Sequence, residues 1–163
     1  MNGLLDGRLA LITGAGSGIG QVIAHAMTDA GARVVAVDID GAAAQRTAAA
    51  IGRGAVSFAH DVTDRAGCDR LAAEVRDRTG AISILVNNAG IIRRGTVTEP
   101  NTRADWDATL AVNLDGPYNM VTAFLEQLNS CARPKVRSST SARSSPLWRC
   151  RTRRHIRPRT CRC

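Results

Sequence analysis

The stretch from Arg8 to Gly20, RLALITGAGSGIG, constrains this chain more than any other. Leu9, Ala10, Leu11 and Ile12 form a short unbroken apolar run, which predicts a first strand buried on both faces of a parallel sheet. Gly14, Gly16, Gly18 and Gly20 come next, and Gln21 to Ala30 reads as a helix with Val22, Ile23, Ala26 and Met27 on one side. A turn of this kind lets backbone approach a pyrophosphate with no Cβ in the way. It also aims a helix N-terminus, with its unpaired N–H groups and positive dipole end, at the phosphates. The ligand implied is a dinucleotide; the alternative for the glycines alone is a tight packing turn that binds nothing.

Residues beyond the turn narrow that choice. Ala32 to Val37 is a second apolar run, and it ends in Asp38. An acidic residue after the second strand reaches the ribose 2′-hydroxyl of NAD and repels the extra phosphate of NADP. The competing role for Asp38 is helix capping, since Asp38 and Asp40 both precede an alanine-rich helix over Gly41 to Ile51.

Strands and helices go on alternating. Ala55 to Ala59 predicts a third strand that ends at His60-Asp61-Val62, and Thr63 and Asp64 then cap a helix running to about Thr79. Ile82 to Val86 predicts a fourth strand ending in Asn87-Asn88-Ala89-Gly90. A long helix starts at Asn101 or Thr102 and runs through Trp106, Leu110, Val112, Leu114, Val121 and Phe124 toward Leu128, with Trp106 expected in the core. Such alternation implies a parallel sheet with right-handed crossovers. Ligands of such sheets bind beyond the strand C-termini, where Gly14, Asp38, Asp61 and Asn88 all fall.

With these residues in place, residues 1 to about 130 resemble the N-terminal half of the short-chain dehydrogenase/reductase family. Thr13-Gly14-Ala15-Gly16-Ser17-Gly18-Ile19-Gly20 matches the family's TGxxxGxG cofactor motif, and Asn87-Asn88-Ala89-Gly90 matches its NNAG motif. Val112-Asn113 sits where the family carries a structural and catalytic Asn. The resemblance implies an α/β fold, an incomplete Rossmann-like doubly wound parallel sheet of about four strands. It also implies an oxidoreductase moving hydride between NAD(H) and a small alcohol or carbonyl substrate, in a family whose intact members are usually homo-oligomers. Gly14, Ser17, Gly18, Ile19, Gly20, Asp38 and Ile39 would then hold the cofactor. Asp61 and Val62 would contact the adenine, and Asn88, Ala89 and Gly90 would line the adenosine ribose. Ser17 stands where NADP users often carry a basic residue, so it agrees with Asp38 on NAD. Arg93 and Arg94 face the expected substrate mouth, where they meet either a substrate carboxylate or solvent.

The sequence departs from the family where its chemistry should come. A Ser that polarises the carbonyl, a Tyr that acts as general acid/base and a Lys four residues later that lowers the Tyr pKa are all missing at family spacing. The only Tyr is Tyr118, within the long helix and expected to face the core, and the only Lys is Lys135. Asn113 is the catalytic remnant.

Charge divides the chain into two parts. Residues 1–132 carry 11 Arg and 14 acidic residues, whereas residues 133–163 carry ten Arg, one Lys and no acid, within an overall formal charge of +8. Residues 1–132 are thus expected to form the NAD-binding domain, and residues 133–163 an Arg-rich tail without strand or helix period. Reading the third base of each codon with the first two of the next, the Thr140/Ser141 boundary can encode Ile. Ser141/Ala142 and Ala142/Arg143 can each encode Ser, and His155/Ile156 only Tyr or His. That shifted reading resembles the family's fifth strand, catalytic Ser and catalytic Tyr, although Arg159/Thr160 cannot encode the Lys. The expectation is a frameshift near residues 133–137 that replaced the second half of a dehydrogenase and left an inactive chain.

Other classes fare less well. No run of about 18 apolar residues suggests a membrane span, and MNGLLDGR lacks the basic start and apolar segment of a secretory signal, so a cytoplasmic setting is expected. Cys68 and Cys131 are isolated while Cys150, Cys161 and Cys163 crowd the end, which gives no disulfide framework. Cys161, Cys163 and His155 lack paired metal-ligand spacing, and no metal is expected. The basic tail has the charge of a nucleic-acid or acidic-partner arm but only Trp148 to stack on bases. An NAD-binding pseudoenzyme needs no further residues and remains the other alternative.

Overall fold

The structure is a computed structural model that describes residues 3–93, 96, 98 and 100–132. Arg94 and the tail from residue 133 lie outside the described residues.

β1 (Leu9–Thr13) is buried at every position, as its unbroken apolar run requires. It lies between β2 (Arg33–Asp38) and β4 (Ile84–Val86), and β3 (Val56–Ala59) flanks β2, giving a parallel sheet of order β3-β2-β1-β4. The register sets Leu11 beside Val35 and Leu85, and Val37 beside Phe58. Helices cover both faces: α1 (Gly18–Asp29) and α2 (Gly41–Ile51) on one, α3 (Arg65–Thr79) and α5 (Gly116–Ala132) on the other. Period-two alternation decides which side each strand residue serves. Ala10, Ile12, Val34 and Ala36 meet the alanines of α1 and α2, whereas Leu9, Leu11, Val35 and Val37 meet Leu71, Val75, Met120 and Phe124.

α2 spans its expected residues, and Asp64 caps α3 by accepting from the Gly67 N–H at 2.9 Å. α1 begins at Gly18, earlier than Gln21, and it packs through Gly20, Ala24 and Thr28. Of the expected apolar side, Ile23 and Met27 pack half-buried against the core, whereas Val22 and Ala26 are exposed. Small side chains at four-residue spacing allow a close helix-to-sheet approach, and Ile23 and Met27 pack beside them. β4 is shorter than predicted because the Ile82 N–H is taken by Gln127 Oε1 at 3.1 Å rather than by a strand.

The long helix is broken. α4 (Thr102–Leu110) gives way to a π-helical turn over Ala111–Asp115 before α5 begins. Two expectations fail along this length: Trp106 is 60% exposed and Tyr118 is 67% exposed. Both lie on a stripe with Leu110, Leu114, Val121 and Leu125 that is left open to solvent, and the Arg65 guanidinium of α3 lies 6.0 Å from the centre of the Tyr118 ring. Periodicity identified an apolar face without saying which neighbour would cover it. β4 closes one side of the sheet among the described residues, with Ile84, Leu85 and Val86 only half-buried. No described helix is long and apolar enough to cross a membrane.

Candidate functional site

The glycine turn and the turn after β4 are sewn together at the C-terminal edge of the sheet. Asn88 Nδ2 donates to the carbonyls of Thr13 and Gly14, at 3.0 and 3.1 Å. The Asn88 and Ala89 N–H groups donate to Thr13 Oγ1, at 3.1 and 3.0 Å. Gly14 sits at φ +65°, and a Cβ there would lie 2.9 Å from Ala89 Cα, so both conformation and space demand glycine. Gly18 also has a left-handed φ, of +53°, but opens onto free space. At Ser17, the N-cap of α1, the backbone is extended and the hydroxyl caps nothing. The first N–H groups of α1 thus have no side-chain cap.

Asp38 is held by two bonds. Its Oδ2 accepts from the Gly16 N–H at 2.8 Å and its Oδ1 from the Asp40 N–H at 3.0 Å. The cap of α2 is Asp40, which accepts from Ala43 N–H at 3.0 Å, so the capping alternative for Asp38 falls away. Asp61 accepts from Thr63 through both N–H and hydroxyl, at 2.9 and 2.8 Å, and α3 is capped by Asp64 instead. Val62 is buried, and its carbonyl accepts from Asn119 Nδ2 on α5 at 3.1 Å. Asn113, inside the π turn, makes two 2.8 Å bonds with Ile91, accepting from its N–H and donating to its carbonyl. The extra residue in that turn rotates Asn113 toward the segment after Gly90, a use π turns commonly serve.

These elements enclose a cleft of about 430 Å³. Gly14, Ser17, Gly18, Ile19, Asp38, Ile39, Asp61, Val62, Asn88, Ala89 and Gly90 all line it. Of the residues singled out from sequence, Gly20 packs behind Gly14 and Asn88, and Asn113 stands behind Gly90 and Ile91. Tyr118 is not among the lining residues. Arg93 pairs with Asp105 at 3.9 Å, both partly exposed. Sequence reasoning missed His60, Ile91 and Val112 as lining residues; each adjoins a motif residue, and that adjacency was the available signal. Burial pushes the His60 imidazole below 6.5, against the opposing pull of Asp64 and Asp61. Burial likewise pushes the neighbouring Cys68 thiol up to about 11.

Comparison with known proteins agrees with this geometry. The family model described as short chain dehydrogenase matches residues 8–140. A sorbitol dehydrogenase of Cereibacter sphaeroides is 47% identical over 119 residues, which is 73% of this chain and 46% of that protein. A D-threitol dehydrogenase of Mycolicibacterium smegmatis is 47% identical over 122 residues, again 73% and 46%. Among solved structures, a 3-ketoacyl-(acyl-carrier-protein) reductase from Brucella melitensis complexed with NADH superposes with a TM-score of 0.71 at 37% identity. That match covers 77% of this chain and 52% of the other. The chain spans about half the length of the relatives it matches.

Proposed function

The chain belongs to the short-chain dehydrogenase family, and from that premise we propose that its cleft binds NAD(H) in preference to NADP(H). Asp38 is the observation that carries the choice. Its carboxylate stands at the cleft wall, fixed by the Gly16 and Asp40 amides, where it would accept from ribose hydroxyls and repel a 2′-phosphate. The open amides at the start of α1 would hold the pyrophosphate, Asp61 and Val62 the adenine, and Asn88 to Gly90 the adenosine ribose. Asn113 would keep Ile91 in position beside the reacting end. When bound, the nicotinamide supplies or accepts the hydride.

The activity proposed for the parent enzyme is oxidation of an alcohol or reduction of a carbonyl. The sorbitol and threitol dehydrogenases favour a polyol as substrate. Residues 1–132 act as the cofactor domain in this reading, and residues 133–163 are out-of-frame sequence. The chain as written then has no turnover. Proton transfer by a positioned group contributes about 10²- to 10⁴-fold, and neither an amide at Asn113 nor an outward Tyr118 supplies it.

Two measurements test the proposal. Calorimetric titration should give tighter binding of NADH than of NADPH, and Asp38→Ala should weaken NADH by roughly tenfold or more, the worth of a bond to a charged group. Tighter NADPH binding by the unaltered chain would overturn the cofactor choice. For the reaction, this chain and one with its reading frame restored after about residue 133 are assayed with NAD(H) on polyols and ketones. Turnover by the chain as written would sink the claim of inactivity, and an inert restored chain would leave the frameshift without support.

A further inference from the structure

Under the Asp61–Val62 edge of the cleft, two soft sulfurs and an imidazole nitrogen come together from three separate parts of the chain. Cys68 on α3 is fully buried, and its Sγ lies 3.2 Å from His60 Nε2, just past the end of β3. The same sulfur lies 3.7 Å from Met120 Sδ on α5, another fully buried side chain. The Val62 carbonyl oxygen is also 3.7 Å away. One thiol proton is thus surrounded by an imidazole, a thioether and a carbonyl, and it can bond to only one of them at a time. A cation in its place would use them together.

We propose that His60, Cys68 and Met120 form a binding site for a soft monovalent metal ion of the Cu(I) class, with the Val62 carbonyl as the fourth neighbour. Both separations from Cys68 come close to those a metal needs. With bonds of about 2.3 Å to sulfur and about 2.1 Å to nitrogen, a tetrahedral ion spans ~3.6 Å between sulfur and nitrogen and ~3.8 Å between two sulfurs. The observed 3.2 and 3.7 Å fall just short of those edges. The gap opens by a small movement of the His60 ring, which is half-buried and borders the cleft. The cleft is also the ion's way in, since Cys68 and Met120 are sealed from solvent.

The donor set selects the metal. A thiolate and a thioether with an imidazole suit Cu(I), whereas a thioether is a poor ligand for hard ions such as Mg²⁺ or Ca²⁺. Among the described residues no group of three or more His, Cys, Asp or Glu side chains is placed to hold a metal; this site differs in taking its third donor from methionine. The surrounding field favours a cation, because Asp61, Asp64 and Asp69 outnumber Arg65 and Arg70 around His60 and Cys68. Binding forms a Cys68 sulfur–metal bond and breaks its S–H bond. The proton leaves to solvent, and the metal keeps its oxidation state.

The test uses the full chain with Cys131, Cys150, Cys161 and Cys163 changed to Ser, so that Cys68 is the sole thiol. Under reducing conditions it competes for Cu(I) with bicinchoninate, and X-ray absorption reads the ligands bound. One Cu(I) per chain is expected, with two sulfurs and one nitrogen around it. Met120→Leu keeps the core volume and should remove one sulfur and weaken binding at least about tenfold. His60→Gln should remove the nitrogen, and Cys68→Ser should abolish binding. Affinity no better than that of free glutathione would overturn the site. So would a Met120→Leu or His60→Gln variant with unchanged affinity and unchanged ligand count.

Discussion

A single methylene-sized decision at Gly14 governs whether the cleft exists. Its φ of +65° and the 2.9 Å approach to Ala89 Cα leave no room for a side chain. Gly14→Ala should lose about 1–2 kcal/mol for the left-handed conformation alone. Moving Ala89 to make room should also break the Thr13–Asn88 bonds. The expected outcome is a lower urea midpoint with little change in slope, together with loss of NADH binding; a variant that keeps both would show that the turn tolerates a Cβ. The need for glycine here was legible from the sequence, because a TGxxxGxG turn admits few conformations. The convergence of His60, Cys68 and Met120 was not, because donors 52 residues apart are joined only by the packing of α5 on α3.

Elements proved legible where local chemistry sets them and opaque where neighbours do. Asp40 and Asp64 mark their helix starts because each carboxylate accepts an amide three residues on. Trp106 and Tyr118 were misplaced because an apolar stripe says nothing of what covers it, and the π turn was missed because one added residue leaves little trace in a hydrophobic period. The Asp64 cap carries a pH dependence. Its bond from the Gly67 N–H and the nearby Arg70 hold its carboxyl below the ordinary 3.8. A depressed native pKa means the unfolded chain binds the proton more readily, so this contribution is present above about pH 4 and is lost as pH falls through the native value. Asp64→Asn keeps the cap but cannot titrate, and its acid unfolding curve should be shallower at low pH than that of the unaltered chain. Identical curves would assign the acid sensitivity elsewhere.

At the scale of the molecule, the two faces of the sheet are built differently. Alanines bring α1 and α2 close on one side, while leucine, valine, methionine and phenylalanine fill the other. The cleft belongs to neither layer; it lies at the strand ends, where the first and fourth strands bring their turns together. That placement has a kinetic consequence. The bonds from Asn88 and Ala89 to Thr13 join residues 75 and 76 apart, so the chain must close a long loop before a binding site exists. Such contacts come late, after the loop-closure entropy has been met by the β1–β2 and β1–β4 pairings. A ligand of the cleft has nothing to grip in the folding transition state. Saturating NADH should therefore slow unfolding in proportion to its occupancy while leaving the refolding rate unchanged. Stopped-flow refolding with and without NADH checks this, and acceleration by the cofactor would mean that the turns meet early.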